Sequence, residues 1–135
     1  MNIEVRYYTK SGNTAKLAEA IAEAVQVKAQ TIAQPLTEKA ALLFLGCSYY
    51  AFDMDPEVKA FIAQNKDKIG RIALFGTSAM MKSMRKPMQR VIKGTDIELA
   101  EEEFHCRGQF HAAHKGRPNA DDLKTAADFA AKHIK

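Results

Sequence analysis

The sequence predicts an α/β fold, a three-layer sandwich in which a parallel β-sheet lies between two layers of helices. Predicted strands and helices alternate along the chain. Two continuous apolar runs, residues 40–46 and 72–76, are typical of parallel strands that are buried on both faces. A turn of small and hydroxyl-bearing residues, 9–14, joins the first predicted strand to the first predicted helix.

The length and composition are those of a globular protein with one domain. The chain has 135 residues, of which 47% are hydrophobic, and this is enough for a single core. No apolar run reaches the roughly 18 residues of a membrane span. Residues 1–4 lead directly into a strand and lack the pattern of a signal peptide. We therefore expect one domain over residues 1–135, located in the cytoplasm and without a membrane segment.

Charge, histidines and cysteines limit the classes of function. The formal net charge of +4 suits either an acidic protein partner or simply a solvated surface with additional lysines. The low aromatic content of 8% and the lack of an RNA-binding motif argue against nucleic-acid binding. His111 and His114 have no nearby carboxylate or thiol to complete a metal site, so no metal ligand is predicted. Cys47 and Cys106 form no CxxC motif and imply no disulfide framework.

The first third of the chain contains two predicted strands and one helix. Apolar and polar residues alternate in residues 2–7, which predicts a half-buried strand. An amphipathic pattern in residues 17–25 predicts the first helix. A second alternating strand is predicted at about residues 27–32, and a short connection that contains Pro35 follows it at residues 33–38.

The turn between the first strand and the first helix carries the residue types that a phosphate group needs. The first backbone amides of a helix have no partner within the helix and can donate to an anion. Gly12 permits a close backbone approach or a positive φ, and Asn13 is a candidate helix cap. Thr9, Ser11 and Thr14 add hydroxyl donors. The turn has neither the glycines of a dinucleotide fingerprint nor the Gly-Lys-Ser/Thr of a Walker A loop.

The remaining predicted elements continue the alternation. The two apolar runs form the third and fourth strands, and a helix begins between them at residues 55–57, Asp-Pro-Glu. Residues 81–92 have helical spacing, although Pro87 predicts a kink or a restart. A fifth strand is predicted at residues 102–106. A last helix is predicted to begin near residues 118–119, with a buried face of Leu123, Ala127, Ala130 and Ile134.

The turn resembles the T-x-S/T-G-N-T phosphate loop of flavodoxins. The spacing of the apolar strands, the aromatic loop after the third strand and the closing residues 104–108 extend the resemblance to short-chain flavodoxins over essentially the whole chain. It implies a flavodoxin-like fold with a five-stranded parallel sheet in the order 2-1-3-4-5, FMN as the cofactor and electron transfer with redox partner proteins. The residues that match the loop are Thr9, Ser11, Gly12, Asn13 and Thr14.

The implied strand order makes a further prediction about the first strand. The connection from strand 2 to strand 3 must pass over strand 1, but residues 33–38 leave room for little more than one turn. The helix between strands 2 and 3 is therefore expected to be shortened or absent. We expect Glu4 and Arg6 to point to a poorly covered face of strand 1. This face would be solvated or would form a dimer surface, so the chain would be a monomer or a weak dimer.

The resemblance places three loops around one flavin at the carboxyl edge of the sheet. Residues 9–14 would bind the phosphate, and the ring would lie between residues 47–55 and 76–83. Clustered aromatic residues in the second loop predict a stacking surface, with Tyr49 or Tyr50 as the best candidate. The predicted cofactor-binding residues are Thr9, Lys10, Ser11, Gly12, Asn13, Thr14, Ser48, Tyr49, Tyr50, Ala51, Phe52, Gly76, Thr77, Ser78 and Ala79.

Two departures from the flavodoxin pattern affect the expected flavin site. The third loop lacks the second stacking aromatic of many flavodoxins, and only Met80 or Met81 is placed to substitute for it. The second loop has no glycine after Gly46. The backbone carbonyl beside the flavin N5 would then turn over less easily, so we expect weaker stabilisation of the one-electron-reduced flavin.

Three functions remain open from the sequence. The first is an FMN-binding carrier that passes electrons between partner proteins, without catalytic residues of its own. The second is an FMN-dependent reductase of a small acceptor such as a quinone. The third is a flavin-free binding module with the same fold.

Cys47 and Cys106 are predicted to lie two strand spacings apart and to be buried structural thiols, too far from each other for a disulfide.

Overall fold

The computed structural model describes residues 2–9, 12–50, 53–77, 84–106 and 118–134, of which residues 48–50, 53, 54 and 106 are described by their backbone alone. The strands are β1 (Ile3–Tyr7), β2 (Ala29–Thr31), β3 (Leu42–Tyr50), β4 (Asp53–Met54), β5 (Arg71–Thr77), β6 (Glu98–Leu99) and β7 (Phe104–Cys106). The helices are α1 (Asn13–Val25), α2 (Pro56–Asn65), α3 (Arg85–Ile92) and α4 (Ala120–His133), with a short 3₁₀ turn at Lys66–Lys68.

The sheet has the predicted order. Its path is β2-β1-β3-β5-β6, and β7 also pairs with β5. All these pairings are parallel. The fifth position of the sheet is therefore shared by two short strands, whereas a single strand at residues 102–106 was predicted. β4 pairs antiparallel with β3 and forms a hairpin at its end.

Two layers of apolar side chains cover the two faces of the sheet. One layer contains buried residues of α1 and α4, and the other contains buried residues of α2 and α3. Phe44 in β3 is fully buried on the α4 face, where its ring packs edge-on against Phe129 with the centroids 6.1 Å apart. This three-layer arrangement confirms the predicted fold class.

The buried face of α4 agrees with the predicted one only in part, since Ala130 is buried and Leu123 packs half-buried against the core. Its buried residues are Ala126, Phe129 and Ala130, whereas Ile134 follows the helix and is 39% exposed. The large ring of Phe129 contacts both Phe44 and Phe104, and aromatic burial outweighs that of small alanines. α4 begins as expected, because the Asn119 side chain and Asp122 form a capping box.

The expectation of a poorly covered face on β1 is wrong, although the crossing helix is indeed absent. Residues 32–41, all of them described, form turns and one bridge. Arg6 is only 4% exposed. It donates from Nε to the carbonyl oxygen of Gln34 at 3.0 Å and from a terminal nitrogen to that of Pro35 at 3.4 Å. It also forms a 2.9 Å ion pair with Glu4. A guanidinium with five donors thus anchors the irregular connection that covers this face.

The connection also contributes an apolar residue to the core. Leu36 is 2% exposed and packs in the layer formed with α2 and α3. Its backbone amide donates to the Asn65 side chain at 3.0 Å. The connection therefore covers this face without a helix, with Leu36 in the core and its backbone carbonyls bonded to Arg6.

Candidate functional site

The carboxyl ends of three parallel strands meet at one edge of the sheet. Tyr7 at the end of β1 is in register with Gly46 of β3, and Thr77 at the end of β5 is in register with Ser48. Just beyond β1, the Tyr8 amide donates to the carbonyl oxygen of Gly46 at 2.9 Å. The segments predicted to hold the flavin therefore leave the sheet from the same edge.

The described part of the turn between β1 and α1 depends on Gly12. Gly12 has φ +86°, a left-handed conformation that favours glycine. A Cβ at this position would have no neighbour within 4 Å, so backbone conformation rather than crowding requires glycine. The Gly12 amide donates to Oγ1 of Thr9 at 2.9 Å, which closes the turn. Gly12 is the N-cap of α1, and Asn13 is the first helical residue rather than the cap that was predicted.

The first two residues of α1 are buried. Asn13 is 8% exposed and Thr14 has no exposed surface. Oγ1 of Thr14 lies 3.1 Å from Oγ1 of Thr77. The first turn of α1 contains no acidic residue, so its amides present a positive end to a ligand. This donor set suits a phosphate group.

Close packing also fixes the end of β5, next to the predicted ring site. A Cβ on Gly76 would lie 2.0 Å from the carbonyl oxygen of Cys47, a distance that no side chain can occupy. Glycine therefore lets β3 and β5 approach each other where both strands reach the edge. Thr77, which follows, is 3% exposed.

The predicted aromatic loop is in large part a β-hairpin. Residues 47–50 continue β3, and β4 returns antiparallel to it, with Tyr49 opposite Met54 and Tyr50 opposite Asp53. The expectation of an open loop over residues 47–55 is therefore corrected. Ala51 and Phe52 lie outside the described residues, as do the side chains of Ser48, Tyr49 and Tyr50. The stacking role of either tyrosine stays a prediction.

A half-buried acid–histidine pair near the predicted ring site was missed in the sequence. Oε2 of Glu103 lies 2.8 Å from Nε2 of His105, and the two side chains are 13% and 11% exposed. The same oxygen accepts a hydrogen bond from the Met84 amide at 3.3 Å. Glu103 thus ties β7 to the start of α3, immediately after residues 78–83. Glu103 and His105 are two positions apart in an extended segment, so the pair itself is local, whereas the contact with Met84 depends on where α3 lies.

Cys47 is a buried structural thiol, as predicted. It has no exposed surface, and its Sγ lies 3.7 Å from Sδ of Met84. Burial raises the pKa of this thiol far above its usual range, and the carboxylates of Asp55 and Glu103 raise it further. The thiol is therefore neutral at physiological pH. β5 separates Cys47 from Cys106, as expected. Among the described residues, no group of side chains could hold a metal ion.

Several predicted site residues cannot be placed. Lys10 and Ser11 of the turn and Ser78 and Ala79 after β5 lie outside the described residues. His111 and His114 also lie there. The structure brings together Thr9, Gly12, Asn13, Thr14, Gly76 and Thr77 at one edge of the sheet.

Comparison with known proteins decides the family. The flavodoxin domain model matches residues 5–126. The chain belongs to the flavodoxin family. FMN is the cofactor expected of a flavodoxin, and the family as a whole is one of electron-transfer flavoproteins. The hydroxyl groups and the positive helix end at this turn are of the chemical type that the phosphate of FMN needs. Comparison with curated protein sequences gives no significant match.

Solved flavodoxin structures share the fold over nearly the full chain. A flavodoxin from the domain Archaea has a TM-score of 0.80 at 17% identity, covering 98% of this chain and 95% of its own. A short-chain flavodoxin associated with a non-canonical PDU bacterial microcompartment has a TM-score of 0.72 at 16% identity, with 99% and 97% covered. The Flv1 flavodiiron core from Synechocystis sp. PCC6803 has a TM-score of 0.74 at 14% identity. That match covers 100% of this flavodoxin-family chain and 37% of the longer one.

The part of the chain that the structure describes contains no helix both long and apolar enough to cross a membrane.

Proposed function

We propose that this chain binds FMN and carries electrons between redox partner proteins in the cytoplasm. The observation that supports this most directly is the turn at residues 9–14. Gly12 is left-handed, its amide closes on Thr9, and α1 begins at the same edge from which β3 and β5 emerge. A phosphate on these amides would leave the flavin ring room to extend towards the other two segments.

Each part of the proposed site has a separate task. The amides at the start of α1, together with the hydroxyls of Thr9 and Thr14, bind and orient the phosphate. The hairpin with Tyr49 and Tyr50 supplies the stacking surface, and the segment from Gly76 onwards binds the ring edge. The bound flavin supplies the redox chemistry. The net charge of +4 supports acidic redox partners, since it would accelerate their encounter with the chain.

Titration of the apo protein tests this proposal. FMN and riboflavin are added separately while flavin fluorescence is followed, because only FMN carries the phosphate. We expect FMN to bind tightly, with its fluorescence quenched, and riboflavin to bind at least about tenfold more weakly. Gly12→Asp should abolish the preference for FMN, since a carboxylate in the turn repels the phosphate.

The chain contains a matched control for this variant. Gly94 also has a positive φ, +84°, and its Cβ position is also free of neighbours within 4 Å. It precedes β6, which pairs with Arg71 and Ile72 at the opposite end of β5 from Thr77. Gly94→Asp therefore introduces a similar backbone strain and the same charge away from the site, and it should bind FMN normally. Equal binding of FMN and riboflavin would refute the phosphate assignment. If neither FMN nor riboflavin binds, the flavin-free binding module becomes the favoured function.

The second loop favours a second candidate, an FMN-dependent reductase of a small acceptor such as a quinone. Residues 47–55 contain no glycine, and residues 49–50 and 53–54 are held in a paired hairpin. A backbone that resists turning over disfavours the one-electron state of the flavin. Rapid turnover of NAD(P)H and a quinone by the loaded protein alone would support the reductase. A requirement for a separate reductase protein would support the carrier.

A further inference from the structure

Charge is distributed unequally between the two helical layers. The layer of α2 and α3, over residues 55–68 and 84–93, contains seven lysine and arginine residues and three acidic residues. The helices of the opposite layer, α1 and α4, contain three lysines and five acidic residues. The positive charge of the helices therefore lies on one side of the sheet. Charge that is separated in this way orients an approaching protein as well as attracting it.

Five of these basic residues form an exposed patch, which we call the basic face. α3 exposes Lys86 and Arg90, and the exposed Lys93 directly follows the helix. Their spacing of four and three residues places them along one side of α3. The exposed Lys66 and Lys68 lie at the end of α2, which contacts α3. Within the described part of the chain, none of the five forms an ion pair with a carboxylate.

One end of the basic face lies close to the proposed flavin site. The backbone amide of Met84, the N-cap of α3, donates to Glu103 beside β7, which pairs with the carboxyl end of β5. The chain after α3 leads to β6, which pairs with the first residues of β5. α3 has 8 residues and is therefore about 12 Å long. Its Lys86 end is thus the end nearer to the edge of the sheet that would hold the flavin.

We propose that the basic face docks an acidic redox partner protein beside the flavin. This inference rests on the proposed function, since it names the surface through which the carrier meets its partner. Carboxylates on the partner complement the exposed cations of α2 and α3, and such complementarity fixes orientation and raises the association rate. Electron-transfer complexes have small interfaces, so the exposed sides of two short helices are sufficient for one.

The composition of the basic face favours a protein over a membrane or a nucleic acid. Helices that bind a membrane surface combine basic residues with large apolar ones. Among the described residues, the exposed large hydrophobic residue is Ile134, which follows α4 in the other layer. Neither α2 nor α3 exposes an aromatic side chain on which a nucleic-acid base could stack. Exposed cations without an apolar anchor suit a surface rich in carboxylates.

NMR titration with cytochrome b5, an acidic haem protein, tests the docking face. Amide shifts of the isotope-labelled, FMN-loaded protein are followed as the probe is added at low ionic strength. We expect the shifts to concentrate in residues 66–68 and 85–93. The dissociation constant should rise at least about tenfold between about 10 mM and about 200 mM salt. Shifts confined to α1 and α4, shifts spread evenly over the surface, or no binding at low salt would overturn the inference.

Charge reversal separates the basic face from the net charge. Lys86→Glu combined with Arg90→Glu is compared with Lys124→Glu combined with Lys132→Glu. The second pair is the matched control, because these lysines are exposed on α4 and their replacement changes the net charge equally. We expect the α3 variant to raise the dissociation constant of cytochrome b5 at least about tenfold at low salt, and the control less than about threefold. Equal losses in both variants would overturn the inference.

A milder variant covers the case in which charge reversal unfolds α3. Lys86→Gln combined with Arg90→Gln removes both charges without adding carboxylates, and circular dichroism verifies the fold. It should weaken binding of cytochrome b5 at least about threefold, and an unchanged affinity would contradict docking on this face. Shifts of the same residues that depend on protein concentration without the probe would show that a second copy occupies the face. That outcome also overturns the proposed partner.

The two proposals fail in distinguishable ways, because NMR titration measures docking with or without flavin. If the wild type binds FMN but cytochrome b5 binds elsewhere or not at all, only the docking face is wrong. If the wild type does not bind FMN, the proposed function is wrong, and the same titration is made on the flavin-free protein. Shifts on the basic face would then support it as a docking surface for acidic proteins, and shifts elsewhere would overturn it.

Discussion

Cys47 lies two residues before Tyr49, the first of the two predicted stacking tyrosines, yet its burial makes it unreactive. Burial raises the pKa of the thiol, and Asp55 and Glu103 raise it further. The folded-state pKa therefore exceeds the unfolded-state value, and folding favours the protonated thiol. The resulting contribution to stability is complete below about pH 9, the ordinary thiol pKa, and is lost progressively as pH rises above that value.

The burial of a neutral thiol predicts slow labelling of Cys47 and a loss of stability at high pH. In a Cys106→Ser background, iodoacetamide at pH 8 should label native Cys47 at least about 100-fold more slowly than the unfolded chain, because attack requires an accessible thiolate. Above pH 9 the free energy of unfolding should fall by up to about 1.4 kcal/mol per pH unit more than in Cys47→Ala. Rapid native labelling, or equal pH slopes in the two proteins, would contradict the burial of a neutral thiol.

Individual site residues differ in how far the sequence could predict them. The turn at residues 9–14 is local, so residue types and spacing are sufficient to predict the glycine-dependent turn that Gly12 forms. The Thr14–Thr77 hydrogen bond joins residues 63 positions apart, and Glu103 reaches Met84 across the sheet. Such pairs depend on strand register and helix placement. No local pattern specifies them.

Among the elements, the connection between β2 and β3 shows how an irregular segment can replace a helix. Its carbonyl groups need donors that a helix would supply internally. Arg6 donates to Gln34 and Pro35 and pairs with Glu4 while only 4% exposed. One buried side chain on β1 therefore donates hydrogen bonds to backbone carbonyl groups about 28 residues later in the chain.

Arg6→Ala should destabilise the protein strongly. The change removes three hydrogen bonds to backbone carbonyls, those of Val5, Gln34 and Pro35, and leaves Glu4 without this partner. The expected loss is about 2–4 kcal/mol in the free energy of unfolding. Arg71→Ala is the matched control. Arg71 also lies on a strand and pairs with a glutamate, Glu98, but the two side chains are 54% and 68% exposed, so its loss should cost less than about 1 kcal/mol.

Urea unfolding followed by circular dichroism measures both arginine variants. Equal destabilisation by the two substitutions would show that Arg6 has no special anchoring role. Arg6→Lys adds a second comparison, since lysine keeps the charge but lacks the forked donors. It should recover only part of the stability, because one ammonium cannot reproduce the guanidinium geometry.

The sequence predicted the apolar centres of the long strands, but it did not predict where those strands end. The apolar core of β3 is evident, but its continuation through residues 47–50 is not, because polar and aromatic residues there are equally typical of a loop. β4 has only two residues and is specified by its pairing with β3 rather than by its own pattern. The split between β6 and β7 arises in the same way, since both short strands form against the rigid β5.

The whole molecule brings residues far apart in the chain to one edge of the sheet. β1, β3 and β5 lie adjacent in a single sheet with a covered core on each face. A ligand that binds across their ends contacts elements that unfold together in a two-state domain. FMN binding should therefore stabilise the entire fold and not only the turn at residues 9–14.

Ligand linkage gives the size of this stabilisation. FMN at 100 times its dissociation constant should add about 2.7 kcal/mol to the free energy of unfolding, which raises the unfolding midpoint of a domain of this size by roughly 10 °C. Riboflavin at the same concentration should raise it less, because it cannot use the donors at Thr9 and Thr14. Differential scanning calorimetry with each flavin measures both shifts. Gly12→Asp should lose most of the FMN shift while Gly94→Asp keeps it, since only the first places a carboxylate in the phosphate turn. A wild-type midpoint that FMN does not raise, or that both flavins raise equally, would contradict a site built around this turn.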